Sequence, residues 1–317
     1  LLVGGNGAGK SSVLQAIAGY FTALAPLYGA APLGPADIRQ GIGQARIEVF
    51  WTEGGRGPLG GEGRLFRTSE WMLDRKVGPG YAFSPDGMRG PANDALHWAR
   101  DVAAPTQDPV GVVALYDVYR LLPPTTVTGP DIAAVIDHRC RDALAPSTRR
   151  ETSSPYRHAQ LKHWIVNLDY WRLKARVDRG QDSLLWETLR KALDTIFSPY
   201  TFIGVDDRFN VLFKTPTGTV PIESLSDGFR SVFVIVSDLL LRLSLAAPRP
   251  EDILAQEAVC MIDEVDAHLH PRWQERVIPS LRALFPCVQF IATTHSPIVV
   301  STASPYEVFR LEDEVSP

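Results

Sequence analysis

LLVGGNGAGKS, Leu1 to Ser11, is the stretch that decides the fold. Three apolar residues read as a strand, a glycine-rich loop follows, and Ser12 to Tyr20 reads as a helix. Gly4 to Ser11 fits the pattern G-x-x-x-x-G-K-[ST] without a mismatch. Gly4, Gly5, Asn6, Gly7, Ala8 and Gly9 let the backbone wrap so that its N–H groups face phosphate oxygens, and the next helix adds its positive end. Lys10 then reaches the β- and γ-phosphates, the Ser11 hydroxyl ligates Mg²⁺, and Ser12 lies beside them in the first helical turn. A plain glycine-rich turn has the same composition, but the position between strand and helix favours phosphate.

Downstream, AVCMIDEVDAHLHP (Ala258 to Pro271) places two carboxylates after a short apolar strand. Asp263 is expected to hold Mg²⁺, directly or through water. Glu264 is the candidate to polarise an attacking water. Asp266, His268 and His270 could in principle bind a metal, although the two histidines also read as helix-entry residues before Pro271.

Two further segments carry weaker signals. In LSDGFRS (Leu225 to Ser231), Ser226 can cap the helix that follows, and Gly228 allows a ligand to approach that helix N-terminus closely. It lies 37 residues ahead of Asp263. In IATTHSP, His295 follows a buried strand 31 residues beyond Glu264, where it could contact a γ-phosphate and sense hydrolysis.

The rest of the chain sets the frame. At 317 residues it suggests about two folding units, and a composition of 45% hydrophobic and 21% charged residues excludes a disordered or collagen-like chain. Phe233 to Ala247 is interrupted by Asp238 and Arg242, so it reads as a core helix rather than a membrane span. Cys140, Cys260 and Cys287 are too widely spaced for a disulfide framework or zinc site, and they suit a reducing cytoplasm. The opening on a strand without Met predicts a piece trimmed at both ends. Strands are expected at Ala45–Trp51, Val110–Tyr116, Thr201–Val205 and Phe209–Lys214, with a Gly/Pro-rich elaboration over residues 52–109. A largely helical insertion is expected over residues 130–200. There Leu161, Trp164, Ile165, Leu168, Trp171 and Ala175 share a helix face, and a second helix runs from Ser183 to Phe197. Pro271 to Leu284 reads as a helix between two short strands, the pattern of a parallel α/β sheet.

The four motifs in this order resemble the ABC-type ATPases, the class that includes SMC proteins, RecF and OLD-family proteins. LSDGFRS, IDEVDAHLHPRWQ and FIATTHSP are more closely similar to stand-alone bacterial AAA family ATPases of the ABC/OLD-like type. One such group is described as ATP-binding proteins involved in virulence, and related ATPases sit in phage-defence systems. The resemblance implies a P-loop NTPase of ABC type over residues 1–317, with a mixed sheet core, binding ATP and Mg²⁺. It also implies a head-to-tail homodimer, in which Ser226 and Gly228 serve the ATP bound to the partner chain. ABC-type sites usually add a Gln near Mg²⁺, and neither Gln40, Gln44 nor the run ending at Tyr116 fills that place.

The partner is left open. Arg139 to Arg179 holds ten Lys/Arg against four Asp/Glu, on a chain whose total charge is −4. A basic helical arm could track DNA, dock an effector such as a nuclease, or simply present a solvated face. An ATP-hydrolysing switch and an ATP-held dimer with negligible turnover both fit. LSDGFRS argues against a transport subunit, and His295 against a kinase.

Overall fold

The computed structural model describes residues 1–5, 8–23, 44–53, 65–74, 112–118, 120, 127, 129, 155–174, 180–247 and 249–311. The chain divides into two compact units, one of Leu1–Leu14 with Gln107–Pro317, the other Gln15–Thr106. Every sequence-predicted site residue falls in the first.

In chain order the described elements begin with strand β1 (Leu2–Gly4) and helix α1 (Lys10–Ala23), which starts two residues before the expected Ser12. In the second unit β2 (Gln44–Glu53) pairs antiparallel with β3 (Leu65–Asp74), Gln44 opposite Asp74. The first unit resumes at β4 (Val112–Tyr116) and helices α2 (Pro155–Lys174) and α3 (Gly180–Phe197). Next come β5 (Thr201–Val205), β6 (Val211–Thr215), β7 (Gly218–Pro221) and helix α4 (Asp227–Ala246). The chain continues through β8 (Ala258–Ile262), α5 (Pro271–Leu284), β9 (Val288–Ala292), α6 (Pro297–Ser301) and β10 (Phe309–Leu311). Among the described residues no helix is long and apolar enough to cross a membrane.

β4, β8 and β9 form a parallel sheet, with Ile262 between Tyr116 and Ala292. β1 pairs parallel with β10 and meets the end of β9 through a bridge from Leu2 to Thr293. VVALY and AVCMI are nearly continuous apolar runs because both faces of the sheet are covered. This order brings the carboxyl ends of β1, β9, β8 and β4 side by side, the edge at which parallel α/β sheets bind ligands.

β5, β6 and β7 make a separate antiparallel sheet. β6 starts two residues later than expected because Phe209 belongs to the turn, at a left-handed φ of 61°. Asp206 holds that turn by accepting from the backbone N–H of Arg208 at 2.9 Å and of Asn210 at 2.7 Å. The short β7 carried too few apolar residues to be expected.

α2 is rotated from its expected face. Leu161, Ile165 and Leu168 are buried as expected, but so are Lys162, Val166 and Asp169, while Trp164 and Trp171 are half-buried. Ala175 lies outside the described residues. Two of the basic residues are held internally: Lys162 donates to Glu223 at 2.6 Å, and Arg172 pairs with Asp169 at 2.7 Å and stacks over Trp186 at 4.6 Å. α2 and α3 pack on each other and on α4, so this part of the expected insertion is also core.

Candidate functional site

The glycine-rich loop leaves β1 and enters α1 at Lys10. Gly9 has φ 83°, a conformation that favours glycine. Gly4 is required by close packing, since a Cβ there would lie 2.4 Å from the Leu311 carbonyl oxygen. Ala8 N–H donates to Gly5 O at 3.4 Å, and Val13 N–H to Gly9 O at 3.0 Å. Lys10 is 6% exposed, and its Nζ donates to Gly4 O at 3.0 Å and Gly5 O at 2.7 Å. The ammonium therefore sits under the loop, while Ser11 and Ser12 are exposed at the helix start. Asn6 and Gly7 lie outside the described residues.

On the neighbouring strand ends, hydroxyls fasten the acidic loop to β9. Asp263 is buried, and its Oδ1 accepts from Thr293 Oγ1 at 2.6 Å. The same hydroxyl accepts from Glu264 N–H at 2.7 Å. Asp263 N–H donates to Tyr116 O at 2.8 Å, and Thr294 N–H to Leu2 O at 3.2 Å, which ties the acidic loop to the end of β4 and the end of β9 to β1. Thr294 Oγ1 donates to Asp266, and Ser296 Oγ donates to Gln274 at 2.7 Å. In TTHSP every hydroxyl thus faces inward, whereas the His295 side chain is exposed. Glu264 is half-buried at φ 46°, a conformation that costs a non-glycine residue about 1–3 kcal/mol and persists only where the surroundings enforce it.

The tip of α4 separates the two residues that the sequence groups together. Ser226 is exposed and its Oγ accepts from Phe229 N–H at 3.4 Å, the expected cap. Gly228 is buried, and a Cβ on it would lie 2.3 Å from the His268 carbonyl oxygen. Its lack of a side chain therefore serves packing inside its own chain. His268 is exposed at φ 61°, and His270 Nδ1 caps α5 by accepting from Arg272 N–H at 3.3 Å. That is the helix-entry role, and no His/Cys/Asp/Glu group of metal-binding form exists among the described residues.

Arg120 is the site residue that the sequence did not reveal. It is 4% exposed, and its guanidinium donates to Asp117 O at 2.7 Å, Asp263 O at 2.5 Å, Glu264 O at 2.7 Å and Ser231 Oγ at 2.7 Å. Burial pushes its pKa down from 12.5 to about 10, against the raising effect of Asp117, Asp263, Glu264 and Asp266, so it stays charged at neutral pH. The apolar run that ends at Tyr116 pointed to a strand, but a single arginine four residues beyond it carries no pattern.

The chain is 38% identical over 89 residues to the "Retron Vc95 probable ATPase" of Vibrio cholerae serotype O1 biovar El Tor, covering 28% of this chain and 17% of that protein. It is 36% identical over 156 residues to the "Septu protein PtuA" of Bacillus thuringiensis, covering 47% of this chain and 39% of that one. The chain thus spans well under half the length of these relatives. Among solved structures, an SMC head bound to the C-winged helix domain of ScpA matches with a TM-score of 0.52 and 15% identity, covering 95% of this chain and 83% of that one. The fold is that of the ABC-type P-loop ATPases. The family described as "AAA domain, putative AbiEii toxin, Type IV TA system" matches residues 120–301, which include Arg120, the tip of α4, the acidic loop and His295. Since that match spans more than half of its length, the chain belongs to this family of AAA-domain proteins.

Proposed function

We propose that the chain binds Mg-ATP at the β1–β9–β8 edge, hydrolyses it, and closes head-to-tail on a second copy while ATP is bound. The carrying observation is that Lys10, Asp263, Glu264 and His295 follow neighbouring parallel strand ends, with β1 bridged to the end of β9 through Leu2 and Thr293, whereas Ser226 is exposed at a helix tip. The residues fit the nucleotide and its ion: a lysine under a glycine-rich loop, an exposed Ser11 hydroxyl, and a carboxylate oriented by Thr293. Hydroxyl and carboxylate oxygens are the donors that Mg²⁺ takes. When bound, the ion neutralises charge on the phosphates.

Each residue then has a role. Lys10 sets its charge against the β- and γ-phosphates, with loop N–H groups from Gly4 to Gly9 around them. Ser11 and Asp263 hold the ion. Glu264 accepts a proton from the attacking water, and His295 contacts the γ-phosphate. Ser226, and the backbone of Gly228 behind it, would serve the nucleotide of the partner copy. The retron relative is named a probable ATPase, which supports the hydrolysis reading, and we assign its output to an effector, either DNA or a nuclease. Lys162 and Arg172 are tied to internal carboxylates, which weighs against those two as DNA contacts.

The test is sedimentation of the full-length Glu264→Gln protein with and without Mg-ATP, together with its turnover. We expect ATP-dependent dimers and at least a hundredfold slower hydrolysis. Wild-type turnover in that variant would remove the base assignment, and an ATP-bound monomer would remove the head-to-tail closure. A wild-type protein that dimerises on ATP with negligible turnover would favour the second reading, an ATP-held scaffold.

A further inference from the structure

An arginine buried to 4% exposure needs acceptors, because a charge taken out of water loses its solvation. Arg120 finds acceptors in three backbone carbonyls and one hydroxyl. Two of the carbonyls belong to the successive residues Asp263 and Glu264, so the rigid guanidinium grips the peptide that carries both site carboxylates. The hydroxyl belongs to Ser231 on α4, five residues after Ser226. Five residues of helix are about 7.5 Å along the axis. The exposed tip of α4 and the acidic loop are therefore joined through one planar group, with no flexible side chain between Ser231 and the two carbonyls.

Glu264 makes the link mechanically significant. At φ 46° its backbone is held away from the common basins, by Thr293 Oγ1 on its N–H and Arg120 on its carbonyl. A small axial shift or rotation of α4 moves the Ser231 hydroxyl, hence the guanidinium, hence the peptide that aims the Glu264 carboxylate. We infer that Arg120 is a positioning residue that couples engagement of the α4 tip by a partner copy to the orientation of Glu264. The inference rests on the closure proposed above and adds the route by which closure reaches the hydrolytic carboxylate.

Ser231→Ala tests the link, because it removes the α4 end while leaving the three carbonyl bonds of Arg120. With Mg-ATP, Ser231→Ala is expected to keep the wild-type KM, to lower the melting temperature because the buried Arg120 Nε loses its acceptor, and to lose about tenfold in kcat, with Ser231→Thr restoring both. A second measurement does not depend on turnover. In the Glu264→Gln protein, ATP-driven dimerisation should slow amide hydrogen exchange across Ile262 to Ala267. Adding Ser231→Ala should leave the dimer intact but remove most of that slowing. A dimer whose exchange slows equally with and without Ser231, or a Ser231→Ala enzyme at full kcat, overturns the coupling alone. Failure of Glu264→Gln itself to dimerise on ATP overturns the closure and this link with it.

Discussion

The two faces of α4 are held by opposite chemistry. On one, Phe229 and Phe233 enter an aromatic cluster: Phe229 stacks on Phe197 at 3.9 Å, and Phe213 meets both Phe229 and Phe233 edge-on at 5.1 and 6.0 Å. Trp273 of α5 closes the cluster, 5.9 Å from Phe229. On the other, Ser231, Asp238 and Arg242 face β4 and the acidic loop through Arg120 and Tyr116. Residues seven and eleven positions apart return to one face after about two and three turns, so Ser231, Asp238 and Arg242 form a single polar stripe opposite Phe229 and Phe233. Apolar contact is non-directional and holds the helix against the core. Hydrogen bonds are directional and fix its rotation and height. The proposed closure needs both, because Ser226 and Arg120 would serve it in only one register.

The apolar face should carry the larger share of stability. Phe213 is fully buried and touches Phe197, Phe202, Phe229 and Phe233. Phe213→Ala is expected to cost about 3–5 kcal/mol by chemical denaturation. A loss below about 1 kcal/mol would mean that the cluster does not anchor α4.

Gly228 sits where the two faces meet, and its substitution separates packing from ligand binding. A Cβ there must displace the His268 carbonyl, which lies 2.3 Å away and is backbone, so it cannot swing aside. Gly228→Ala should destabilise the nucleotide-free protein by about 1–3 kcal/mol, the usual range for overpacking. Ser226→Arg removes the cap of α4, at a cost of about 0.5–2 kcal/mol, and should act in addition on ATP-driven dimers. If Gly228→Ala left the nucleotide-free melting temperature unchanged, the packing role assigned to this glycine would be wrong.

How much of this was legible in the sequence follows the same division. Elements set by apolar runs were readable: α5 begins and ends at the expected Pro271 and Leu284, and the expected core helix from Phe233 to Ala247 lies in α4 and its C-cap. The backbone setting of two motifs was readable too: the glycine-rich loop lies between β1 and α1, and Asp263 and Glu264 follow the end of β8. Polar contacts between distant segments were not. Asp238 and Arg242 marked the helix as unfit for a membrane, but nothing local showed that Tyr116, 122 residues earlier than Asp238, would be their partner. Arg120 joins segments 111 and 143 residues apart and belongs to no repeat or period. Lys162 looked like part of a basic arm because charge counts do not record that Glu223 waits inside. The rotation of α2 follows from that ion pair and from the Asp169–Arg172 pair, which take charged residues into the core beside leucines.

The smallest effect tests the polar face alone. Tyr116 OH donates to Asp238 at 2.9 Å, and Asp238 also accepts from Arg242 Nε at 2.7 Å. Tyr116→Phe removes one donor and leaves Asp238 paired, so the expected loss near neutral pH is about 0.5–1.5 kcal/mol. The pH dependence sharpens it. Burial, aided by the Asp238 charge, raises the phenol well above its ordinary value of 10. A raised acid pKa means that folding favours the protonated form, so this contribution is whole below pH 10 and is lost as pH climbs towards the folded-state value. Wild-type protein should therefore lose stability faster than Tyr116→Phe above pH 10, and the two denaturation curves should converge. Parallel alkaline limbs would show that the phenol is not held by Asp238, and that the register of α4 rests on Arg120 and Ser231 without it.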